Sequence, residues 1–261
     1  LFHLRWSERR FKGLVLSRLE KQNSIIIINL DIMDDSLHLY ENFMRLPLFS
    51  GLGSEEMTQI IAQTKFQFLR LEAGDYFCRQ DEKTDQLVIL NNGKMIMTTQ
   101  SDDYGCMVEE NITAPYVLSP ETLFGLYQRY LHSYICDSAC TFVILSKAEV
   151  FKLFDNYFIF RINWLNLIAT KVQKRSMQIW HTPPASLRQR IIRFFVQHSD
   201  KPAGKKVFHI KMERLARDVN ESRLKVSQQL HSLKEDGFIT MKRGLITVNA
   251  LEKIKKKKEN L

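Results

Sequence analysis

The sequence predicts an α+β protein in three parts: a β-roll of jelly-roll type, a long helix, and a C-terminal winged helix-turn-helix. Three observations lead to this class. Short apolar or alternating runs separated by turn residues fill residues 66–143, and a periodic helical pattern covers residues 158–180. Two short helical patterns and then a hairpin pattern occupy residues 211–248.

The composition is typical of a globular chain without a membrane span. With 261 residues, 44% hydrophobic and 26% charged, the chain can bury two cores and is neither disordered nor fibrous. Its most apolar stretch, residues 24–30, is far shorter than the roughly 18 residues of a span. The four cysteines, Cys78, Cys106, Cys136 and Cys140, form neither a disulfide framework nor a paired CxxC zinc site. We therefore expect a cytoplasmic protein that has no membrane partner.

Residues 1–32 differ from the rest of the chain, because basic and apolar residues are mixed there without steady helical or strand periodicity. We treat them as an atypical extension and take Met33 as a hypothesis for the native start, which N-terminal mass spectrometry would test. The apolar piece Ile25–Leu30 is too short for a signal peptide, and no small-residue cleavage site follows it.

Residues 33–155 are predicted to form the β-roll domain. Short helices come first, with Ser54 as the N-cap of one of them. Strand patterns then occur at residues 66–69, 87–90, 95–97 and 141–144, and turn residues such as Asn91-Asn92-Gly93 separate them. Many short strands with turn signals favour a sandwich or barrel.

Residues 156–182 are predicted to contain a dimerisation helix from about Phe158 to Trp180, ended by Pro183-Pro184. Its narrow apolar seam steps by three and four residues, which is typical of a coiled coil. A second strip around Trp164 allows the helix also to lie on its own β domain, so we expect both faces to be used. The seam consists of Ile162, Leu165, Ala169, Val172, Ser176 and Ile179.

The charge is concentrated in the C-terminal part. Residues 1–183 carry 19 Lys+Arg and 21 Asp+Glu, whereas residues 184–261 carry 19 and 8, a balance of +11. A basic domain joined to a nearly neutral one is typical of a polyanion-binding protein with a separate regulatory module. A solvated surface with a basic tail at residues 253–258 is the alternative explanation.

Residues 183–261 are predicted to form the DNA-binding domain. A helix over residues 187–197 and a strand over residues 207–210 precede a short helix, a turn at residues 218–221, and a second helix capped by Ser222. Asn220 lies where the turn needs a positive φ. Two strands with Lys242 and Arg243 between them follow as a basic wing. The predicted DNA-contacting residues are Lys211, Ser222, Arg223, Leu224, Lys225, Ser227, Gln228, Lys242 and Arg243.

In this order of patterns the chain resembles the Crp/Fnr family of bacterial transcriptional regulators over about residues 46–248. The segments Leu71–Asp75, Asn91–Lys94 and Glu121–Gly125 resemble turns and the ligand cassette of its cyclic-nucleotide-binding-like domain, and Ile210–Ile239 resembles its winged helix without a gap. The resemblance implies an effector-binding β-roll, a homodimer, an operator in double-stranded DNA and contact with RNA polymerase.

The resemblance also implies an effector pocket, but departures from the family pattern narrow the effector. The Gly-Glu start and Arg-Ser pair of cyclic-nucleotide-binding members appear here as Pro120-Glu121 and His132-Ser133. Without the bidentate arginine, cyclic AMP is not expected. No cysteine precedes Cys78, so an iron-sulfur cluster is not expected either. The implied pocket residues are Glu121, Thr122, Leu123, His132, Ser133, Arg175 and Ser176.

Haem is the cofactor hypothesis that the resemblance leaves open. One branch of the family binds haem and responds to nitric oxide, and the HcpR-like nitrosative-stress members are the natural comparison. The axial ligand candidates here are His132 and Met97. The opposing explanation is that both are structural: a methionine in a β-roll usually fills the core, and a lone histidine usually satisfies a neighbour.

The recognition helix also departs from the best-known family pattern. Arg223 suits guanine, Gln228 suits adenine, and Leu224 offers only apolar contact such as a thymine methyl, so we expect a different operator. An enzyme is not expected, because the sequence has no P-loop, GxGxxG, GxSxG or HExxH motif. The remaining rival is a cytoplasmic effector-binding module without DNA affinity.

Overall fold

The computed structural model describes residues 39–180, 182 and 184–254, with side chains up to residue 177 and again from residue 184. The predictions on residues 1–32 and Met33, on the Ile179 side chain, on Pro183 and on most of the basic tail lie outside these residues. The described chain begins with helical residues 39–44, a 3-10 turn at Pro47–Phe49 and helix α1 at Ser54–Gln63. Ser54 is not the N-cap as predicted: Gly53 is, and its amide donates to Glu56 Oε2 at 2.9 Å.

The β-roll consists of eight antiparallel strands in two sheets, which confirms the predicted all-β sandwich. One sheet has the order β1-β8-β3-β6, and the other contains β5-β4-β7-β2. The core between and beside them is apolar, with Met97, Tyr134 and Phe142 fully buried. The strands are β1 Gln67–Leu71, β2 Tyr76–Cys78, β3 Gln86–Asn92, β4 Lys94–Gln100, β5 Cys106–Thr113, β6 Tyr116–Leu118, β7 Ser133–Cys136 and β8 Cys140–Ser146.

The turn between β3 and β4 requires glycine for two reasons. Gly93 has a φ of +102°, a conformation that other residues rarely adopt. A Cβ at this position would lie 2.5 Å from the Ala139 carbonyl oxygen and 2.7 Å from Cys140 Sγ. The predicted turn residue therefore also allows the β3–β4 and β7–β8 connections to approach each other.

Helix α3 uses one face on its own domain and leaves the other exposed. Helix α2 spans Lys147–Asn156, is capped by Ser146, and leads into α3 at Phe158–Trp180, with the bounds that the sequence predicted. Trp164 is buried against the β-roll core. Leu165 and Val172, about 100° and 80° around the helix from Trp164, are 58% and 61% exposed.

The C-terminal part is a winged helix, as predicted. Its core joins Ile191 and Phe195 to Val226, Leu230 and Leu233 of the second helix of the motif, and all five side chains are fully buried. This arrangement explains the spacing of four and three residues between the buried positions of that helix. The elements are α4 Leu187–Gln197, β9 Lys206–Ile210, α5 Met212–Asp218, α6 Arg223–Glu235, β10 Ile239–Lys242 and β11 Leu245–Val248.

The two folded parts share one sheet, which the sequence did not predict. Strand β9 of the winged helix pairs with β11 on one edge and antiparallel with β5 of the β-roll on the other. The result is a seven-stranded sheet with the order β10-β11-β9-β5-β4-β7-β2. Cys106 and Val108 of β5 consequently belong to the winged-helix core. Among the described residues, no helix combines the length and apolar character needed to cross a membrane.

Candidate functional site

The turn between α5 and α6 holds the two helices of the motif at a fixed angle. Asn220 adopts a φ of +50°, as predicted, and the Glu221 amide donates to the Ala216 carbonyl at 3.0 Å. The Ser222 side chain then caps α6 by accepting from the Lys225 amide. The buried Ala216 lies at the helix contact, where a larger side chain would push α6 away.

The exposed side of α6 presents cations, an amide and one large apolar side chain. Leu224 is 71% exposed and places apolar surface on this side of the helix. Arg223 Nη1 lies 3.0 Å from Glu213 Oε1, and Lys225 Nζ lies 3.3 Å from Glu221 Oε1. Gln228 is exposed one turn further along the helix. Both ion pairs are largely exposed, so their cations exchange partners readily.

The wing places further cations beside α6. Gly244, at a φ of +72°, closes the hairpin, and Lys242 and Arg243 before it are exposed. An open groove of about 300 Å³ between the wing and the end of α6 is lined by these two residues and by His231 and Lys234, among others. Lys211 is exposed at the start of α5, and Ser227 is partly buried on α6. The predicted DNA residues thus lie on α6, at its cap, at the start of α5 and on the wing.

Glu121, the first residue of the implied effector pocket, lies where the β-roll meets α3. Glu121 Oε2 accepts from Lys171 Nζ at 2.8 Å, and both side chains are partly buried. Thr122 is buried and donates to the Ser119 carbonyl, while Leu123 belongs to the apolar core. Of these three cassette residues, Glu121 is the one that forms a side-chain hydrogen bond with α3.

His132 lies inside the roll, beside the same cassette. Its Nδ1 is 2.7 Å from Thr99 Oγ1, and the residue is 6% exposed. Burial lowers the pKa of His132 below its usual value, with Lys171 acting in the same direction and Asp200 and Glu121 against it. The imidazole is therefore a neutral hydrogen-bonding group here and does not supply the fixed cation that an arginine would. Ser133 Oγ accepts from the Gln80 amide at 2.8 Å.

Two tyrosines, the buried Tyr134 and the partly buried Tyr116, and two charged residues, Lys171 and Asp200, lie at this site without having been predicted from the sequence. The fully buried Tyr134 hydroxyl lies 3.0 Å from Ser119 Oγ, and burial raises the pKa of both Tyr134 and Tyr116. Arg175, an implied pocket residue, lies 3.8 Å from Asp200 of the winged helix, and Ser176 is exposed. Lys171 was missed because a lysine on a polar helix flank resembles any solvated residue.

The two haem ligand candidates do not fit a haem site. Met97 is fully buried among the apolar side chains of the roll, with Tyr134 opposite it on the neighbouring strand. His132 already bonds Thr99 through one ring nitrogen. A haem iron could meet Met97 only if the packed core opened. Within the described ranges, no three His, Cys, Asp or Glu side chains converge on a point where a metal ion would bind.

Cys136 and Cys140 flank the β7–β8 turn and are both buried. Burial and the neighbouring Cys140 raise the pKa of Cys136 to about 12, so its thiol is protonated at neutral pH. We therefore interpret the buried Cys136 and Cys140 as structural side chains.

Comparisons with known proteins give only distant structural similarity. No family model and no curated protein matches the chain. The catabolite activator protein of Thermus thermophilus is 19% identical, with 81% of this chain and 97% of that chain covered at a TM-score of 0.46. The sensor domain of the transcriptional regulator DNR from Pseudomonas aeruginosa is 15% identical, with 59% and 99% covered at 0.46. The c-di-GMP responsive global regulator CLP of Xanthomonas campestris is 14% identical, with 76% and 99% covered at 0.42.

The described chain has a β-roll, then a long helix with an exposed apolar strip, then a winged helix. The architecture is the one that the Crp/Fnr resemblance implies. The roles of α6 as recognition helix and of the cassette at Glu121 as part of an effector pocket stay predictions from that resemblance. The HcpR-like branch stays a prediction.

Proposed function

We propose that the chain is a homodimeric, DNA-binding transcriptional regulator of the Crp/Fnr type, controlled by an effector other than cyclic AMP in the β-roll. The observation that carries the proposal is the exposed face of α6. A helix held by a helix-turn-helix turn carries Arg223, the exposed Leu224 and Gln228, and the cations of the wing lie beside it. Such a face suits the major groove, with wing cations on phosphates.

The proposed dimer forms through the exposed strip of α3. Leu165 and Val172 are each more than half exposed, while Trp164, about 80° to 100° around the helix from them, is buried. An isolated helix face with this much apolar surface is stabilised when a second copy covers it. Two recognition helices would then read two half-sites of a palindromic operator.

The proposed effector binds near Glu121, His132 and Lys171. A neutral, buried histidine at the place where family members resemble one another in an arginine argues against a cyclic phosphodiester. Calorimetric titration with cyclic AMP should therefore give no saturable heat, and saturable binding would contradict this part of the proposal. Titration with haem, followed in the Soret region, tests the haem alternative, which no contact around His132 or Met97 favours.

The DNA-binding proposal is tested by selecting bound duplexes from a random library and measuring affinity against salt concentration. We expect the logarithm of affinity to fall linearly with the logarithm of salt concentration. Removal of both wing cations (Lys242→Ala with Arg243→Ala) should make this slope shallower by about 1 per lost phosphate contact. Lys94→Ala removes an exposed cation from the β-roll instead and should leave the slope unchanged. Absence of any salt-dependent binding would favour an effector-binding module without DNA affinity.

A further inference from the structure

Strand β5 has a different kind of partner on each edge. On one edge it pairs with β4 of its own domain, and on the other with β9 of the winged helix, from Cys106 opposite Ile210 to Glu110 opposite Lys206. We call the β5–β9 pairing and the side chains around it the interdomain junction. It joins segments that lie on opposite sides of α3 in the sequence.

Glu110 is the centre of the junction. Its carboxylate accepts from Lys206 Nζ at 2.5 Å and from the amides of Asp200 and Lys201 at 2.8 Å and 3.0 Å. The Glu110 and Lys206 side chains are each only 1% exposed. A charge buried this deeply is tolerated because its partner charge and two amides lie within hydrogen-bond distance. Removal of one partner leaves the other charge buried without compensation.

Further polar contacts surround this pair. His209 Nε2 lies 2.7 Å from Glu109 Oε1, and Lys201 Nζ donates to the Asn111 carbonyl at 3.1 Å. Arg214 of α5 pairs with Asp103 in the loop before β5. When the junction opens, water can replace the hydrogen bonds of these polar groups. Apolar side chains have no such replacement, because their exposure to water is unfavourable.

Helix α3 contacts both sides of the junction region. Lys171 reaches Glu121 of the β-roll at 2.8 Å, and one turn later Lys174 Nζ donates to the Asp200 carbonyl of the winged helix at 2.8 Å. Asp200 is the residue whose amide also reaches Glu110. The cassette, α3 and the junction are thus joined by consecutive side-chain contacts.

The apolar cores on the two sides are largely separate. The winged-helix core takes only Cys106 and Val108 from the β-roll, and all of its other buried members lie between residues 191 and 254. The two clusters of the β-roll contain no winged-helix residue. Separation at the junction would therefore leave each core nearly complete.

We propose that the interdomain junction is a releasable contact, centred on Glu110, that opens as a unit while the β-roll and the winged helix both stay folded. Its closed state fixes the orientation of the winged helix relative to the β-roll, and its open state frees that orientation. This proposal does not require the chain to bind DNA, because it concerns the contact between the two folded parts.

Hydrogen exchange at single amides of the full chain tests the proposal. The Ser101 amide donates to the Cys106 carbonyl, and the Ile210 amide donates to the Gly244 carbonyl. The peptide groups of Cys106 and Ile210, which pair across the junction, therefore point away from it. The alternation of an antiparallel ladder then directs the amides of Met107, Glu109, Val207 and His209 across it. In Glu110→Gln we expect these four amides to exchange at least about tenfold faster, with the α6 amides of Val226 and Leu230 unchanged.

The matched control is Glu109→Gln, which alters the neighbouring but more exposed carboxylate and its contact with His209. We expect this variant to change the four amides less than about twofold. Equal acceleration in both variants, no acceleration in Glu110→Gln, or equal acceleration throughout the winged helix would overturn the proposal, because the junction would then not open as a separate unit centred on Glu110.

A cross-link gives a second measurement that does not alter Glu110. Cys106 and Ile210 form a non-hydrogen-bonded pair, so their Cα atoms should lie about 4.5 Å apart, within the range of disulfides. In Ile210→Cys, diamide would accept two electrons and two protons from the two thiols, and an S–S bond would form. Burial raises the pKa of Cys106 to about 11, so the oxidation is carried out at alkaline pH.

The oxidised Ile210→Cys protein should exchange the four cross-junction amides at least about tenfold more slowly than its reduced form. Treatment of the wild-type chain with diamide controls for the other thiols. Unchanged exchange after cross-linking would overturn the proposal, because exchange would then arise from unfolding of the winged helix itself. Failure to form the disulfide would contradict the pairing of Cys106 with Ile210 on which the junction is based.

Discussion

At the scale of single residues, His132 is a buried base in an interior that disfavours its charge. Burial lowers its pKa below 6.5, so the unfolded chain binds a proton more readily than the folded chain as the pH falls through and below that value. His132 therefore does not reduce the free energy of unfolding above about pH 6.5. Below that pH the free energy of unfolding declines, because the unfolded state binds a proton at His132.

We expect His132→Gln to reduce this decline, because glutamine keeps polar atoms near Thr99 but does not bind a proton. The measurement is the free energy of unfolding in urea at about pH 7 and about pH 5.5. His231→Gln, which removes an exposed histidine, is the control. An equal loss of stability on acidification in wild type and His132→Gln would count against the buried neutral imidazole.

Arg223 is the residue for which we expect direct base recognition. Arg223→Ala should cost about 1 to 3 kcal/mol on the selected operator and much less on random DNA, because a bidentate contact to guanine is specific. Lys225→Ala, on the same helix, should weaken binding to the operator and to random DNA by the same factor, because a phosphate contact carries no sequence information. Competition titrations against both DNAs provide the comparison, and an equal loss for Arg223→Ala on both would refute base recognition.

Some important residues could not be predicted from the sequence, for a physical reason. Glu110 falls in the buried phase of β5, together with Cys106, Val108 and Ile112, yet a lone glutamate in an alternating pattern indicates a surface position. Only the opposing Lys206 explains its burial, and that residue lies in a different domain. Ser54 shows the reverse error, since a good capping residue is present but Gly53 takes the capping position.

At the scale of elements, the α5–α6 turn depends on the backbone of Asn220. A left-handed conformation disfavours residues with an ordinary Cβ, so Asn220→Ala should destabilise the protein by about 1 kcal/mol. Asn220→Gly should stay close to wild type, since glycine adopts this φ freely. Urea unfolding measures both variants; a loss for glycine as large as that for alanine would show that the Asn220 side chain, rather than its φ, stabilises the turn.

Helix α3 carries the proposed dimer contact. Val172→Glu should weaken dimerisation at least about tenfold, because it places two carboxylates against each other across an apolar seam. Thr170→Glu adds the same charge about 200° around the helix and should leave the dimer intact. Sedimentation equilibrium gives the dissociation constants. If Val172→Glu stayed dimeric, the exposed strip of α3 would not be the contact.

Elements with strong local signals were predictable, and the shortest ones were not. The bounds of α3 and α4 and the caps and turn of the helix-turn-helix follow from periodicity, prolines and capping residues. Strands β2 and β6 have only three residues each, too few for an alternating pattern to be recognised. The effector residues were placed by family resemblance, and their contacts with Lys171 and Asp200 required the folded structure.

At the scale of the whole molecule, the sequence suggests two bodies joined at the end of α3, whereas the structure adds a second connection through β5 and β9. Local patterns cannot reveal this pairing, because the choice of strand partner depends on contacts between distant segments. The winged helix is thus linked to the β-roll both by the chain and by hydrogen bonds of the sheet.

This second connection has a consequence during synthesis on the ribosome. Strand β5 is complete at Thr113, but its partner β9 begins at Lys206, more than ninety residues later. At about 5 to 20 residues per second, the outer edge of β5 waits for several seconds without a partner. An unpaired edge invites strands of other chains, and an inward-pointing charge is one feature that discourages such association. Glu110 is such a charge, so we expect the carboxylate that later joins the two domains to protect the nascent chain from aggregation first.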